Sequence, residues 1–160
     1  MPLDFEKQAQ KGNKFLKDVA EELGNKADTS NAGRMLQAVL HTLRNHLPFE
    51  ENLKLLSQLP IALKGVYVHE WSPEKKRDIS RKRNDFIEEV LRYADGTCLH
   101  GFSDIQKGTE AVHAVFKTLK QYISPGEFNK MEAVLPDQLK KLVRESIYSK
   151  TLTLNLASKK

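Results

Sequence analysis

The chain has 160 residues, with 26 Lys plus Arg against 21 Asp plus Glu, a formal net charge of +5 at pH 7. With 29% charged and 39% hydrophobic residues, the composition is globular and excludes disordered, collagen-like and cysteine-scaffold proteins. A chain of this length buries about 70% of its unfolded surface, so one core can form without a metal or disulfide staple.

No run approaches the ~18 apolar residues of a membrane span, because Lys54 and Lys64 interrupt the best stretch. The start, Met-Pro-Leu-Asp-Phe-Glu-Lys, lacks a basic flank ahead of an apolar core, so no signal peptide is expected. The single cysteine, Cys98, cannot form an internal disulfide. These features fit a cytoplasmic location.

In chain order, Phe15, Leu16, Val19, Ala20 and Leu23 recur at helical spacing, and Gly24 supplies the left-handed stop. After the cap signals Asp28-Thr29-Ser30, a stripe of Ala32, Met35, Leu36, Val39, Leu40 and Leu43 predicts a second helix. Pro48 closes it and opens a short third helix that ends before Pro60. Ile61, Leu63, Val66 and Tyr67 give a fourth helix its apolar face.

The second half repeats this order. A Phe-led helix at 86–90 is followed by Ser103 and Gln106 at cap spacing, then the stripe Ala111, Val112, Val115, Phe116 and Leu119. Ser124-Pro125-Gly126-Glu127 reads as a capping box, in which two side chains reciprocally satisfy backbone N–H groups.

An offset of 76 residues places Ala38-Val39-Leu40-His41-Thr42-Leu43-Arg44 over Ala114-Val115-Phe116-Lys117-Thr118-Leu119-Lys120, and Leu59-Pro60 over Leu135-Pro136. Between 33 and 66, ten of 34 ungapped pairs are identical, Pro60 over Pro136 included. Upstream the offset is 71, pairing Phe15-Leu16 with Phe86-Ile87; the loop 95–101 absorbs the difference. The expected architecture is all-α: an internally duplicated helical bundle with about four helices per copy, the two copies packed as one domain over 1–160. The repeats cover about 12–70 and 84–146, with a basic connector at 72–83 and a C-terminal tail at 149–160. A half of about 60 residues buries too little surface to be comfortably stable alone.

The pattern Gly33-Arg34-x-Leu36-x-Ala38-Val39-Leu40-x-x-Leu43, then Leu59-Pro60 and Gly65-Val66-Tyr67-x-x-x-Trp71-x-Pro73, resembles the bacterial proteins grouped as domain of unknown function 2267. Arg81-Lys82-Arg83, Asp85-Phe86-Ile87-Glu88-Glu89-Val90 and Leu135-Pro136 continue the resemblance, which spans about residues 12 to 145. It implies a small, soluble, duplicated helical domain of bacterial origin, and it assigns no activity to any residue.

The excess charge is local. Lys75, Lys76, Arg77, Arg81, Lys82 and Arg83, with Asp78, carry a net +5 between the copies, leaving the rest neutral. Three readings stand open. The run is a solvated linker pairing with Glu74, Asp85, Glu88 and Glu89; or a contact for nucleic acid or another polyanion, with a log–log salt slope of at most about −5; or a contact for a protein or an anionic membrane surface. No aromatic residue interleaves the run, and no nucleic-acid-binding signature appears. If Asn84 caps the next helix, the cations crowd its positive end, where the dipole favours acids.

Catalytic chemistry has little to stand on. His41, His46, His69, His100 and His113 show no i, i+3 or i+4 pairing suited to a metal. Cys98 with His100 could form a nucleophile or ligand pair, though a small thiol packed on the core is commoner. Tyr67, Trp71, Phe102 and Tyr122 could line a pocket between the copies, or simply fill the groove where they meet. The alternation Thr151-Leu152-Thr153-Leu154-Asn155-Leu156 could dock as a strand or be a frayed tail. The sequence therefore reads as a non-enzymatic interaction module for another macromolecule, a protein before a polyanion, without catalytic residues, metal or cofactor.

Overall fold

In the computed structural model, which describes residues 3–72, 80–95 and 102–148, the described residues form eight α-helices and no strand. They are α1 (Phe5–Glu22), α2 (Thr29–His46), α3 (Phe49–Gln58), α4 (Ile61–Val68), α5 (Arg83–Asp95), α6 (Phe102–Tyr122), α7 (Pro125–Ala133) and α8 (Asp137–Tyr148). Gly24 adopts the left-handed conformation at φ 92°, and the Asp28 carboxylate accepts from Asn31 N at 3.1 Å, both at the expected helix ends. α1 starts ten residues before its apolar stripe because Asp4 caps it, accepting from Lys7 N at 3.1 Å. None of the described helices is long and apolar enough to cross a membrane.

α1 packs on α2 and α6, α5 packs on α6 and α2, and α2 touches α6 directly. α4 lies over α1 and α2, α8 over α5 and α6, and α3 meets α7. Buried apolar side chains from all eight helices form one contiguous core. Two crossings need glycine: a Cβ at Gly12 would sit 2.7 Å from Ala62 Cβ, and one at Gly108 would sit 2.6 Å from Ile87 Cγ2.

A buried polar cluster fixes α4 against α2. Arg44, 4% exposed, donates through Nη1 to the carbonyls of Tyr67 at 2.6 Å and His69 at 2.7 Å, at the end of α4. The helix dipole favours a cation there, and the carbonyls are otherwise orphaned. His41 Nε2 donates to the Val66 carbonyl at 2.7 Å. The fully buried Tyr67 hydroxyl donates to Asn52 Oδ1, while Asn52 Nδ2 donates to the carbonyls of Arg44 at 3.0 Å and Leu47 at 3.1 Å.

The α3–α7 contact corrects the capping box. Ser124 Oγ accepts from Glu127 N at 3.3 Å, as anticipated. The reciprocal bond is absent, because Ser124 N donates to Gln58 Oε1 at 2.8 Å instead. Glu127 thereby faces Glu51, and the buried Oε1 of each lacks a hydrogen-bond partner apart from this carboxyl pairing. Burial, then the hydrogen bond and repulsion from Glu51, push the Glu127 carboxyl above the usual range, against the pull of Lys54 and Lys130.

Two outcomes follow. Tyr67→Phe leaves the buried Asn52 Oδ1 without a donor and lowers stability by about 1–3 kcal/mol, read as a lower urea midpoint at unchanged slope. For Glu127, a raised folded-state pKa means its stabilising contribution is complete below the unfolded value of about 4.3 and is lost as pH rises through the folded value. The stability of Glu127→Gln relative to the native chain therefore increases as pH rises from the unfolded carboxyl value through the raised folded one, and then levels. A difference independent of pH would exclude the carboxyl pair as its source.

Candidate functional site

The structure brings two of the aromatic residues named above together, Tyr67 and Trp71, and places Tyr122 elsewhere. Tyr67 is sealed in the α2–α4 cluster. Trp71 lies beyond α4, edge-on to Tyr67 with ring centroids 6.4 Å apart and tilted against Phe49 at 5.7 Å. Tyr122 instead packs on Phe15 at 4.6 Å and donates to Asp18 Oδ2 at 2.6 Å, where α6 meets α1. Phe102 begins α6. Tyr122 therefore shares no pocket with Tyr67 and Trp71, which pack on each other.

Of the basic run, Lys75, Lys76 and Arg77 lie outside the described residues, as do Cys98, His100 and the 151–156 segment. Arg81 and Lys82 are exposed. Arg83 is the first residue of α5, so the helix starts one residue before the anticipated boundary at 84. Asn84 is not the cap: the Lys82 carbonyl accepts from Phe86 N at 3.2 Å. Arg83 N donates to Gln138 Oε1 at 2.8 Å, and its guanidinium pairs with Glu145 at 2.5 Å. Asp85 accepts from Ser80 Oγ at 2.5 Å. Arg83 at the helix start is thus paired with an acid from α8, while Asp85 in the first turn bonds Ser80.

The described histidines occupy unlike settings. His41 is held below its usual pKa by burial, and the neighbouring Arg44 adds to this against the Val66 carbonyl; it packs edge-on to Tyr93 at 5.9 Å. Burial likewise lowers His113, opposed by Glu145, whose Oε2 lies 3.9 Å from its Nε2. His46 is 4.9 Å from Phe86 between α2 and α5. Among the described residues, no three His, Cys, Asp or Glu side chains are grouped to hold a metal ion.

An open trough of about 600 Å³ runs between α1, α2 and α4. Ala9, Gly12 and Leu16 on α1, Gly33 on α2, and Ala62 and Val66 on α4 form its apolar lining, with Asn13, Ser30, Arg34 and Gln37 at polar positions. Its size and its mostly apolar wall with a few polar groups match a ligand-binding cleft. Sequence periodicity missed it, since a helix stripe ranks residues by hydrophobicity and does not register that several neighbouring ones are too small to fill the space. The available signal was the cluster of small residues Ala9, Gly12, Gly33 and Ala62.

A comparison with curated proteins finds no match. The sequence profile of the family described as Uncharacterized conserved protein (DUF2267) matches residues 12–142, most of the helical assembly from α1 into α8. The order of glycine, proline and aromatic positions, the all-helical fold built on them and this match together place the chain in the DUF2267 family.

Proposed function

We propose that the chain is a cytoplasmic, non-enzymatic interaction module, made by internal duplication, that binds an amphipathic helix of a partner protein in the α1–α2–α4 trough. Several contacts support the duplication. Thr42 Oγ1 donates to the Ala38 carbonyl and Thr118 Oγ1 to the Ala114 carbonyl, each at 2.8 Å and 76 residues apart. Leu63 N and Lys64 N donate to the Pro60 carbonyl as Leu139 N and Lys140 N donate to that of Pro136. The packing is reciprocal, α1 on α6 and α5 on α2, with α2–α6 and α3–α7 as self-matching pairs. Glu51 and Glu127 are one such matched pair.

One observation carries the binding reading: the trough is open in the first half and filled at the corresponding positions of the second. The sequence offsets pair Gly12 with Arg83, Ala62 with Gln138, His69 with Glu145 and Gln37 with His113. In the second half these four polar side chains converge, Arg83 on Gln138 and Glu145, and Glu145 on His113. In the first half, Gly12 and Ala62 leave an open, mostly apolar space with Gln37 on its wall. Small residues along the floor suit a helix laid into a groove, anchored by its own apolar face.

The second reading is polyanion binding through Lys75 to Arg83. Arg81 and Lys82 favour it, being exposed and without an ion pair among the described residues. The two readings separate cleanly. A protein recovered with the native chain from the cells that make it should bind Ala9→Trp and Gly33→Trp at least about tenfold more weakly, a loss of ~1.4 kcal/mol. Undiminished binding by both variants, each shown folded by circular dichroism, would remove the trough. Binding of mixed-sequence DNA or RNA that falls with salt, and disappears when the six cations become alanine, would instead support the polyanion reading.

A further inference from the structure

On the far side of the α1–α4 crossing, a second cavity of about 530 Å³ opens between α1, the α3–α4 junction and the end of α6. Lys11, Lys14 and Lys64 line it, and among the described residues no carboxylate does. The first turn of α4 faces it through Pro60 and Ile61. Pro60 stands at the cap position and offers no side-chain acceptor, and no acid occupies the first turn. The leading amides of α4 therefore present uncompensated positive dipole to the cavity.

An independent observation comes from α1. Gln8 is only 7% exposed and lines the same cavity, yet its side-chain amide makes no hydrogen bond to any described residue. Its amide atoms are not sealed from solvent, and Gln8 borders the lysine-lined space, where the amide can serve as a donor. Lys14 is partly engaged, donating to Asp18 at 3.1 Å and to the Tyr122 hydroxyl at 3.4 Å. Lys11 and Lys64 form no ion pair among the described residues.

We infer that this cavity binds the phosphate group of a small anion, through the ammonium groups of Lys11 and Lys64, the amide of Gln8 and the leading amides of α4. These donors outnumber what the two oxygens of a carboxylate can accept and suit the several oxygens of a phosphate. Leu59 and the half-exposed Ile61 form an apolar wall beside them. That wall fits a phosphate ester better than the free ion, and the two sources are distinguishable.

The test is a nuclear magnetic resonance titration of the full chain with inorganic phosphate and with phenyl phosphate, ionic strength held constant with chloride. The amides of Ile61 and Ala62 and the Gln8 side-chain NH₂ should shift saturably. Lys11→Ala and Lys64→Ala should each weaken binding by about tenfold, the worth of one charge-assisted hydrogen bond. Lys141→Ala, exposed on α8, should bind as the native chain does. Tighter binding of phenyl phosphate supports an ester ligand, and equal affinities support free phosphate. No saturable shift at these three groups, or an affinity unchanged in the Lys11→Ala, Lys64→Ala double variant, overturns the proposal. The trough is untouched by these substitutions, so failure here leaves the helix-binding reading standing.

Discussion

The placement of α4 depends on a cation taken out of water. A buried guanidinium is costly unless its donors are met, and Arg44 meets part of this requirement with two carbonyls at the C-terminal end of a helix, where the backbone dipole already favours positive charge. The same contact ties the chain beyond α4, up to Glu70 at φ 56°, onto α2. Because α4 is only eight residues long and buries only Leu63 and Tyr67, this polar tether does for it what stripe packing does for α2 and α6. Both cavities inherit their shape from it. One face of α4 contributes Ala62 and Val66 to the trough, and its first turn contributes Ile61 and Lys64 to the lysine-lined cavity.

The two halves of the chain meet in layers of different chemistry. At the centre, α2 and α6 bury Leu40, Leu43, Val115 and Leu119, a contact that sets no polar demand. Toward the edges the joints are polar and directional: Tyr122 on Asp18, Lys117 facing Glu22 at 3.7 Å, and Ser124 N on Gln58. Burial outweighs Lys117 and raises the Glu22 carboxyl above its usual range. Area burial supplies most of the association, while the polar joints fix the register.

What the sequence made legible was what local chemistry decides. Gly24, Asp28, Pro48, Pro60 and Ser124 end or start helices because each acts on its own backbone, and the structure places helix ends at all five. The apolar stripes of α2 and α6 are buried as their spacing demands. The early part of α1 was illegible because its ten leading residues carry no stripe, only the Asp4 cap. The burial of Arg44 was not legible, because periodicity reads Arg as polar and no local rule reveals acceptors 23 and 25 residues away. The second bond of the capping box failed for the same reason: Gln58, from another helix, competed for the donor. The trough is a matter of volume between three helices, and volume is not written in any one of them.

The Glu51–Glu127 pair bears on how such a chain could have arisen. In a symmetric dimer of a half-length ancestor, a residue near the rotation axis faces its own copy, so a glutamate there opposes a glutamate and no single mutation can create an opposite-charge pair. Fusing the copies into one chain lifts that restriction, since either position can then change alone. If the halves descend from such a dimer, the retained carboxyl pair is a contact whose composition was set by symmetry, in a molecule that no longer has any symmetry to obey.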